Sequence, residues 1–242
     1  MGVHSYNLEC PGFVQTNNKL SLGGKIEPIS QYGGDQFELS IYIYKDKQSG
    51  NWWLRIHEID VGYWPGSIFN KLSDRADTVS WGGEIVNSGS QGHHTSTEMG
   101  SGHFPSEGYR KASYVRNLRY VDESGAINDA SPDNVVRLVS RPECYDLQMG
   151  DLTNYGTHFF YGGPGFSDKC KRVKLKLNSL EAFCLLKQVS SPMDRSNKVA
   201  NRLSELALTD YLDAVYYMVS PSGTEHILAV DVNKDGLGPI DC

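Results

Sequence analysis

The sequence contains no run of about eighteen or more apolar residues, so it offers no segment able to cross a membrane as a helix. Its opening, Met1-Gly2-Val3-His4-Ser5-Tyr6, lacks a basic stretch followed by an apolar core, so no signal peptide is expected. Tyr6 stands where N-myristoylation calls for Ser or Thr. Cysteine is sparse. The five are Cys10, Cys144, Cys170, Cys184 and Cys242, and none forms a Cys-x-x-Cys pair, which speaks against a zinc ribbon. Basic residues are outnumbered: 23 Lys and Arg against 29 Asp and Glu give a net charge of −6, which argues against a nucleic-acid partner. His93, His94 and His103 lie close in sequence, but no helix holds them at i, i+4 and no zincin acid accompanies them. They read as loop histidines, and no metal or cofactor is expected.

Glycine and tyrosine are what the chain has in quantity, at 25 and 14 residues among 242. Short aromatic-rich segments bounded by glycine are the mark of an all-β protein, a sandwich or a barrel. The clearest strand runs from Phe37 to Tyr44, with Phe37, Leu39, Ile41 and Ile43 alternating against Glu38, Ser40, Tyr42 and Tyr44. After the polar turn Lys45–Gly50, Trp52 to Glu58 returns as a second strand, making a hairpin. Val61–Pro65 continues as an extended piece. Helical spacing of Ile68, Phe69, Leu72 and Ala76 predicts a short helix over 68–76. Ala112–Asp122, Val135–Val139 and Thr157–Tyr161 read as further strands.

The character changes near residue 172, after the basic run that begins at Lys169. Residues 179–189 read as helical, and Val199 to Met218 recur at helical spacing behind Ser196 as an N-cap. Ile227–Val232 reads as a strand. The expected organisation is therefore a β domain over 1–171 and a mixed α/β tail over 172–242. Asp231–Gly236 matches the opening of a calcium loop, but position twelve is Cys242 rather than Glu, so an Asx-rich turn is the preferred reading. Ser101 between glycines lacks the Gly-x-Ser-x-Gly frame of a nucleophile elbow.

One stretch concentrates the chemical interest: Thr78-Val79-Ser80-Trp81-Gly82-Gly83-Glu84-Ile85-Val86. Strand alternation puts Val79, Trp81 and Ile85 on one face and Glu84 on the other. Glycines inside a strand mark a close approach, either of a ligand or of another backbone. A carboxylate on the far side of that backbone is a candidate catalytic group, and an ordinary surface Glu is the alternative. Among the tryptophans, Trp52 and Trp81 read as core, whereas Trp53 and Trp64 are open between core and groove lining.

Cys10-Pro11-Gly12-Phe13-Val14-Gln15-Thr16-Asn17-Asn18, Tyr32-Gly33-Gly34, Gly50-Asn51-Trp52-Trp53-Leu54, Val61-Gly62-Tyr63-Trp64-Pro65 and Trp81-Gly82-Gly83-Glu84 follow one another in order. Met99-Gly100-Ser101-Gly102-His103-Phe104-Pro105, Glu107-Gly108-Tyr109, Cys144-Tyr145-Asp146 and Tyr161-Gly162-Gly163-Pro164-Gly165 complete the series. This series, from Tyr6 to Cys170, closely resembles the neprosin domain of plants. The resemblance implies an antiparallel two-sheet β-sandwich with a long groove. It also implies a glutamic endopeptidase that cuts after proline in acid, so the expected partner is a peptide or protein substrate, including proline-rich ones, and the family setting is secreted. Glu84 maps onto one family glutamate, with Gly82, Gly83, Trp53 and Trp64 as candidate groove lining. The Cys144–Cys170 disulfide is carried over as well.

The same resemblance marks departures. The chain starts at about the point where the family has passed its first glutamate, and Ser5 replaces the partner of Cys10. Weak or absent proteolysis is therefore expected, and a non-catalytic β-sandwich module binding peptide or glycan is the competing expectation. Glu98, where the family usually has Gln, is a candidate substitute acid. Asn178-Ser179-Leu180-Glu181-Ala182 has a superficial likeness to the missing motif, in a context that reads helical. Glu38 and Glu107 are expected to be surface or structural.

Overall fold

The fold is known from a computed structural model, which describes residues 8, 12–20, 22–70, 72–86, 93–170 and 181–189 together with strand pieces at 214–215 and 230–231. The expected thiols Cys10 and Cys242, the calcium-like loop beyond Asp231 and most of the expected helix over 199–218 lie outside the described residues. Within them the chain is mostly β, its paired strands are all antiparallel, and helix is limited to short 3-10 turns.

The first sheet has the order β1–β4–β3–β2, from β1 (Val14–Gln15), β4 (Ile59–Trp64), β3 (Trp52–Ile56) and β2 (Ile41–Lys45). The β2–β3 turn is set locally. The Asp46 carboxylate accepts from the Ser49 amide at 2.9 Å, and Gly50 takes φ 72°, a left-handed conformation that glycine adopts without a Cβ clash. The inner face buries Leu54, Val61 and Trp64, with Phe69 and Leu72 packed on them. The expected helix over 68–76 is not formed. A 3-10 turn spans Gly66–Ile68, Phe69 reaches the core from the extended position that follows it, and Leu72 reaches it from a turn. Their spacing reflects burial on one side, while Gly66, Ser67, Asn70, Ser73 and Asp74 favour turns over helix.

The expected strand over 112–122 is also divided. It becomes β6 (Ser113–Val115) and β7 (Arg119–Val121), separated by Asn117 at φ 53°. β7 pairs with β8 (Ile127–Asp129), while β6 joins β11 (Phe159–Gly162) and β10 (Asp146–Met149) in the order β10–β11–β6.

The largest departure is at 181–189, read above as helical. It is β12 (Glu181–Val189), lying between β5 (Thr78–Val86) and β9 (Val135–Val139). Its apolar run Ala182-Phe183-Cys184-Leu185-Leu186 suits a strand buried on both faces, which periodicity alone cannot separate from a helix. Ala214–Val215, placed above in a helical pattern, is likewise a strand, β13, paired with β14 (Val230–Asp231). Trp81 and Ile85 of β5, Cys184 and Leu186 of β12, Leu147 of β10 and Phe159 and Tyr161 of β11 share one core. Thus β5 is anchored by its apolar face, and Glu84 lies on the other.

Candidate active site

β12 pairs with the whole of β5, from Thr78↔Val189 to Val86↔Glu181. Residues opposite one another in such a pair share a face. One face carries Trp81 and Ile85 of β5 with Leu186 and Cys184 of β12, all buried in the core. The other carries Ser80, Gly82 and Glu84 of β5 against the register positions of Lys187, Leu185 and Phe183. Glu84 is half-buried there. Phe183 stands directly across from it, and Glu181 holds the next register position on that face, across from Val86. Diagonal neighbours of this kind are separated by about 7–8 Å or somewhat less. The register thus makes the backbone positions of Glu84 and Glu181 diagonal neighbours, although they are almost a hundred residues apart in the chain.

The glycines beside Glu84 have a backbone and packing reason. A Cβ on Gly82, which has φ 152°, would lie 1.9 Å from the Cys184 carbonyl oxygen. A Cβ on Gly83 would lie 2.9 Å from Met99 Cγ and 3.0 Å from the Tyr161 ring. Both glycines are buried, and neighbouring protein fills the space above them. Met99 is fully buried and turned toward Gly83, whereas the preceding Glu98 is exposed, with its carboxyl against Gly102.

The tryptophans separate cleanly. Trp64 is buried in the first core and meets Phe13 edge-on at 4.7 Å, and Trp52, partly buried on the same face, donates from its indole to the Leu72 carbonyl at 2.8 Å. Trp81 is buried as expected. Trp53 lies on the opposite face of the first sheet, in register between Tyr44 and Tyr63, with its ring 4.9 Å from that of Tyr63. Arg55 sits over Tyr44 and is held by Asp60 through two hydrogen bonds, at 2.7 and 2.9 Å.

Glu38 and Glu107 are structural. Glu38 accepts from Arg116 Nε at 2.7 Å and from Tyr114 Oη at 2.5 Å, tying the segment before β2 to β6. Burial would raise its carboxyl pKa, but the hydrogen bonds from Arg116 and Tyr114 and the guanidinium charge outweigh burial and hold it below the ordinary value. Glu107 accepts from Tyr32 at 3.0 Å and lies 2.9 Å from His103 Nδ1. There too burial is outweighed, chiefly by the hydrogen bonds with His103 and Tyr32. Lys187, not singled out from sequence, is half-buried on the face of Glu84, and burial pushes its ammonium pKa down. Its only sequence signal is a cation within an apolar strand run, legible once 181–189 is taken as strand. The Cys144–Cys170 disulfide is formed, with a Cα–Cα distance of 4.9 Å.

The chain is thus mostly β with antiparallel sheets, a half-buried glutamate on the edge strand β5 and this disulfide. The neprosin family model matches residues 2–164. The chain belongs to the neprosin family.

Proposed function

We propose that the chain is a neprosin-type glutamic endopeptidase that hydrolyses peptide bonds after proline with Glu84 as one of two catalytic carboxylates. In this reading residues 1–171 form a two-sheet sandwich with a substrate groove, and residues 172–242 are an extension that returns β12 to its sheet. The second carboxylate is Glu181. The observation that carries it is the β5–β12 register, which sets a glutamate position diagonal to Glu84 on the same face. Two such groups share a proton in the acid range, because one ionised carboxylate raises the pKa of the other. The ionised member takes a proton from water as its oxygen attacks the carbonyl carbon. The protonated member donates to the amide nitrogen as the C–N bond breaks, leaving an acid and an amine. The position of the second acid is only diagonal to Glu84, which favours an impaired rate. The disulfide fits an oxidising compartment.

The test is turnover of a proline-containing fluorogenic peptide at acid pH by wild type, Glu84→Gln, Glu181→Gln and Glu98→Gln. Loss of about 100-fold or more in kcat is expected for Glu84→Gln and Glu181→Gln, with the melting temperature retained. Full activity in Glu84→Gln would end the peptidase reading. Loss in Glu84→Gln and Glu98→Gln but not in Glu181→Gln would move the second role to Glu98.

A second reading, a non-catalytic module for peptide or glycan, draws on the aromatic row of the first sheet. Tyr44, Trp53 and Tyr63 stand in register on adjacent strands, and Tyr42 stacks on Tyr44 at 5.1 Å. Flat aromatic faces beside a fixed guanidinium suit sugar or proline rings. Folded wild type without turnover, but with oligosaccharide or Pro-rich peptide binding lost in Trp53→Ala, would favour it.

A further inference from the structure

His94 is one of the few buried polar side chains, at 4% exposure, and its Nε2 is buried without a hydrogen-bond partner. Its Nδ1 lies 3.0 Å from the Thr95 carbonyl oxygen, a contact that places the ring proton on Nδ1. Nε2 is therefore left as a lone pair in the interior. An orphaned buried acceptor costs about 1–3 kcal/mol and calls for a physical reason. The atoms nearest in kind are the two sulfurs of the disulfide. One ligating nitrogen of His94 and the Sγ atoms of Cys144 and Cys170 all lie within 4.8 Å of one another.

Three loop segments converge on this point and are tied together around it. The Thr95 carbonyl also accepts from the Phe166 amide at 2.9 Å, and the Thr97 carbonyl accepts from Tyr145 Oη at 2.8 Å. Tyr145 meets the His94 ring edge-on at 5.3 Å. The imidazole is thus held by packing and by a backbone acceptor on its far nitrogen. That second contact is the usual way a metal-binding histidine is oriented. Cys144 and Cys170 are 1% and 3% exposed, so the group is a dry cluster of one nitrogen and two sulfurs.

We propose that His94, Cys144 and Cys170 form a clamp with two interchangeable states: a disulfide when oxidised, and a soft divalent-metal site of the zinc type when reduced. A thiol or phosphine reductant supplies two electrons, the S–S bond breaks, and each sulfur takes up a proton. A metal ion then displaces both protons and binds two thiolates and His94 Nε2. The metal closes the same loops that the disulfide closes. Two thiolates and an imidazole are a donor set for zinc, with a fourth position left to water. Binding of this kind stabilises the fold that presents the ligands.

The test uses the full chain with Cys10→Ser and Cys242→Ser to silence the terminal thiols, reduced with a phosphine, freed of it without air, and titrated with Co²⁺. One equivalent is expected to give a near-ultraviolet thiolate-to-cobalt band, abolished by Zn²⁺ and absent from the oxidised protein. His94→Gln is expected to weaken Co²⁺ binding by about ten-fold or more and to change the visible ligand-field spectrum. Cys184→Ser is expected to leave both unchanged. If reduction alone unfolds the chain by far-ultraviolet circular dichroism, Zn²⁺ is expected to restore the β signal, and less so in His94→Gln. No charge-transfer band in the reduced protein, no refolding by Zn²⁺ in that case, identical binding in His94→Gln, or loss with Cys184→Ser would each overturn the proposal.

Discussion

The two sheets that meet Trp64 and Trp81 solve the same problem by opposite means. In β1–β4–β3–β2 the strands β2, β3 and β4 are successive in sequence and joined by tight turns, so pairing is local. In β5–β12–β9 the centre is occupied by a strand that arrives about a hundred residues after β5. The local sheet buries one row of apolar side chains, whereas in the non-local sheet Ser80 and Leu185, on the face of Glu84, are buried as well. The rows opposite the two cores also differ in kind: the local sheet has an aromatic row with the Arg55–Asp60 pair, and the non-local sheet has half-buried Glu84 and Lys187. The candidate chemistry therefore sits where chain segments distant in sequence are brought together. That arrangement can juxtapose carboxylates that a hairpin would space apart by its own turn.

The sharpest way to break the comparison is to hollow each core. Leu54 of β3 and Leu186 of β12 are 0% and 1% exposed. Replacing either with Ala is expected to cost about 2–5 kcal/mol, from lost burial plus the cavity left behind. Chemical denaturation measures both. A cost under about 0.5 kcal/mol for Leu186→Ala, as at a surface site, would mean that β12 is not docked on β5 in solution. A single cooperative transition in both variants would mark the sheets as one folding unit.

The hairpin was legible because its information is local. Alternation across 37–44 and 52–58, and a turn containing Asp46 and Gly50, identify the partners and the register together. Even there the first strand begins later than its alternation suggests, at Ile41, since Phe37 is exposed and Glu38 is engaged by β6 residues. Glu84 and its apolar neighbours were legible by the same alternation. The cause of Gly82 was not: it lies in the Cys184 carbonyl, on a strand whose run Ala182–Leu186 carries no period that separates strand from helix. Glu181 was visible as a residue and invisible as a neighbour. The pairing of Cys144 with Cys170 came through family resemblance, and His94 beside it gave no signal beyond being a loop histidine.

Gly82 tests the docking more gently. Gly82→Ala puts a methyl group into the Cys184 carbonyl at a φ that L-residues rarely adopt, and is expected to cost about 1–3 kcal/mol. Hydrogen exchange at the Leu185 and Leu186 amides should rise selectively, while β3 and β4 amides keep their protection. Uniform loss across both sheets would show that strain at β5 is not confined to the non-local sheet.

A smaller effect concerns the tie between the segment before β2 and β6. The folded Glu38 carboxyl has a pKa below its ordinary 4.5, so in that acid window the unfolded chain binds more protons. The stabilisation is present above the ordinary value and is lost as pH falls through the folded one. With the side chain 34% exposed, solvent limits the contribution to about 0.5–1 kcal/mol. Glu38→Gln should remove that part of the acid dependence, read from denaturation midpoints at successive pH values. An unchanged pH profile would place the tie elsewhere.

The smallest effect is the most specific to the candidate site. Burial lowers the pKa of Lys187 below its ordinary 10.5. Between the lowered and ordinary values the unfolded chain holds the proton and the folded chain does not, so stability rises with pH through that alkaline window. Lys187→Met removes a cation that burial disfavours and keeps the stem that packs along β12. The expected result is no loss of stability at neutral pH, within about 0.5 kcal/mol, and disappearance of the alkaline rise. If Lys187→Met instead destabilises clearly at neutral pH, the ammonium serves the carboxylate on its own face. The half-buried cation would then support the sheet that carries Glu84 rather than burden it.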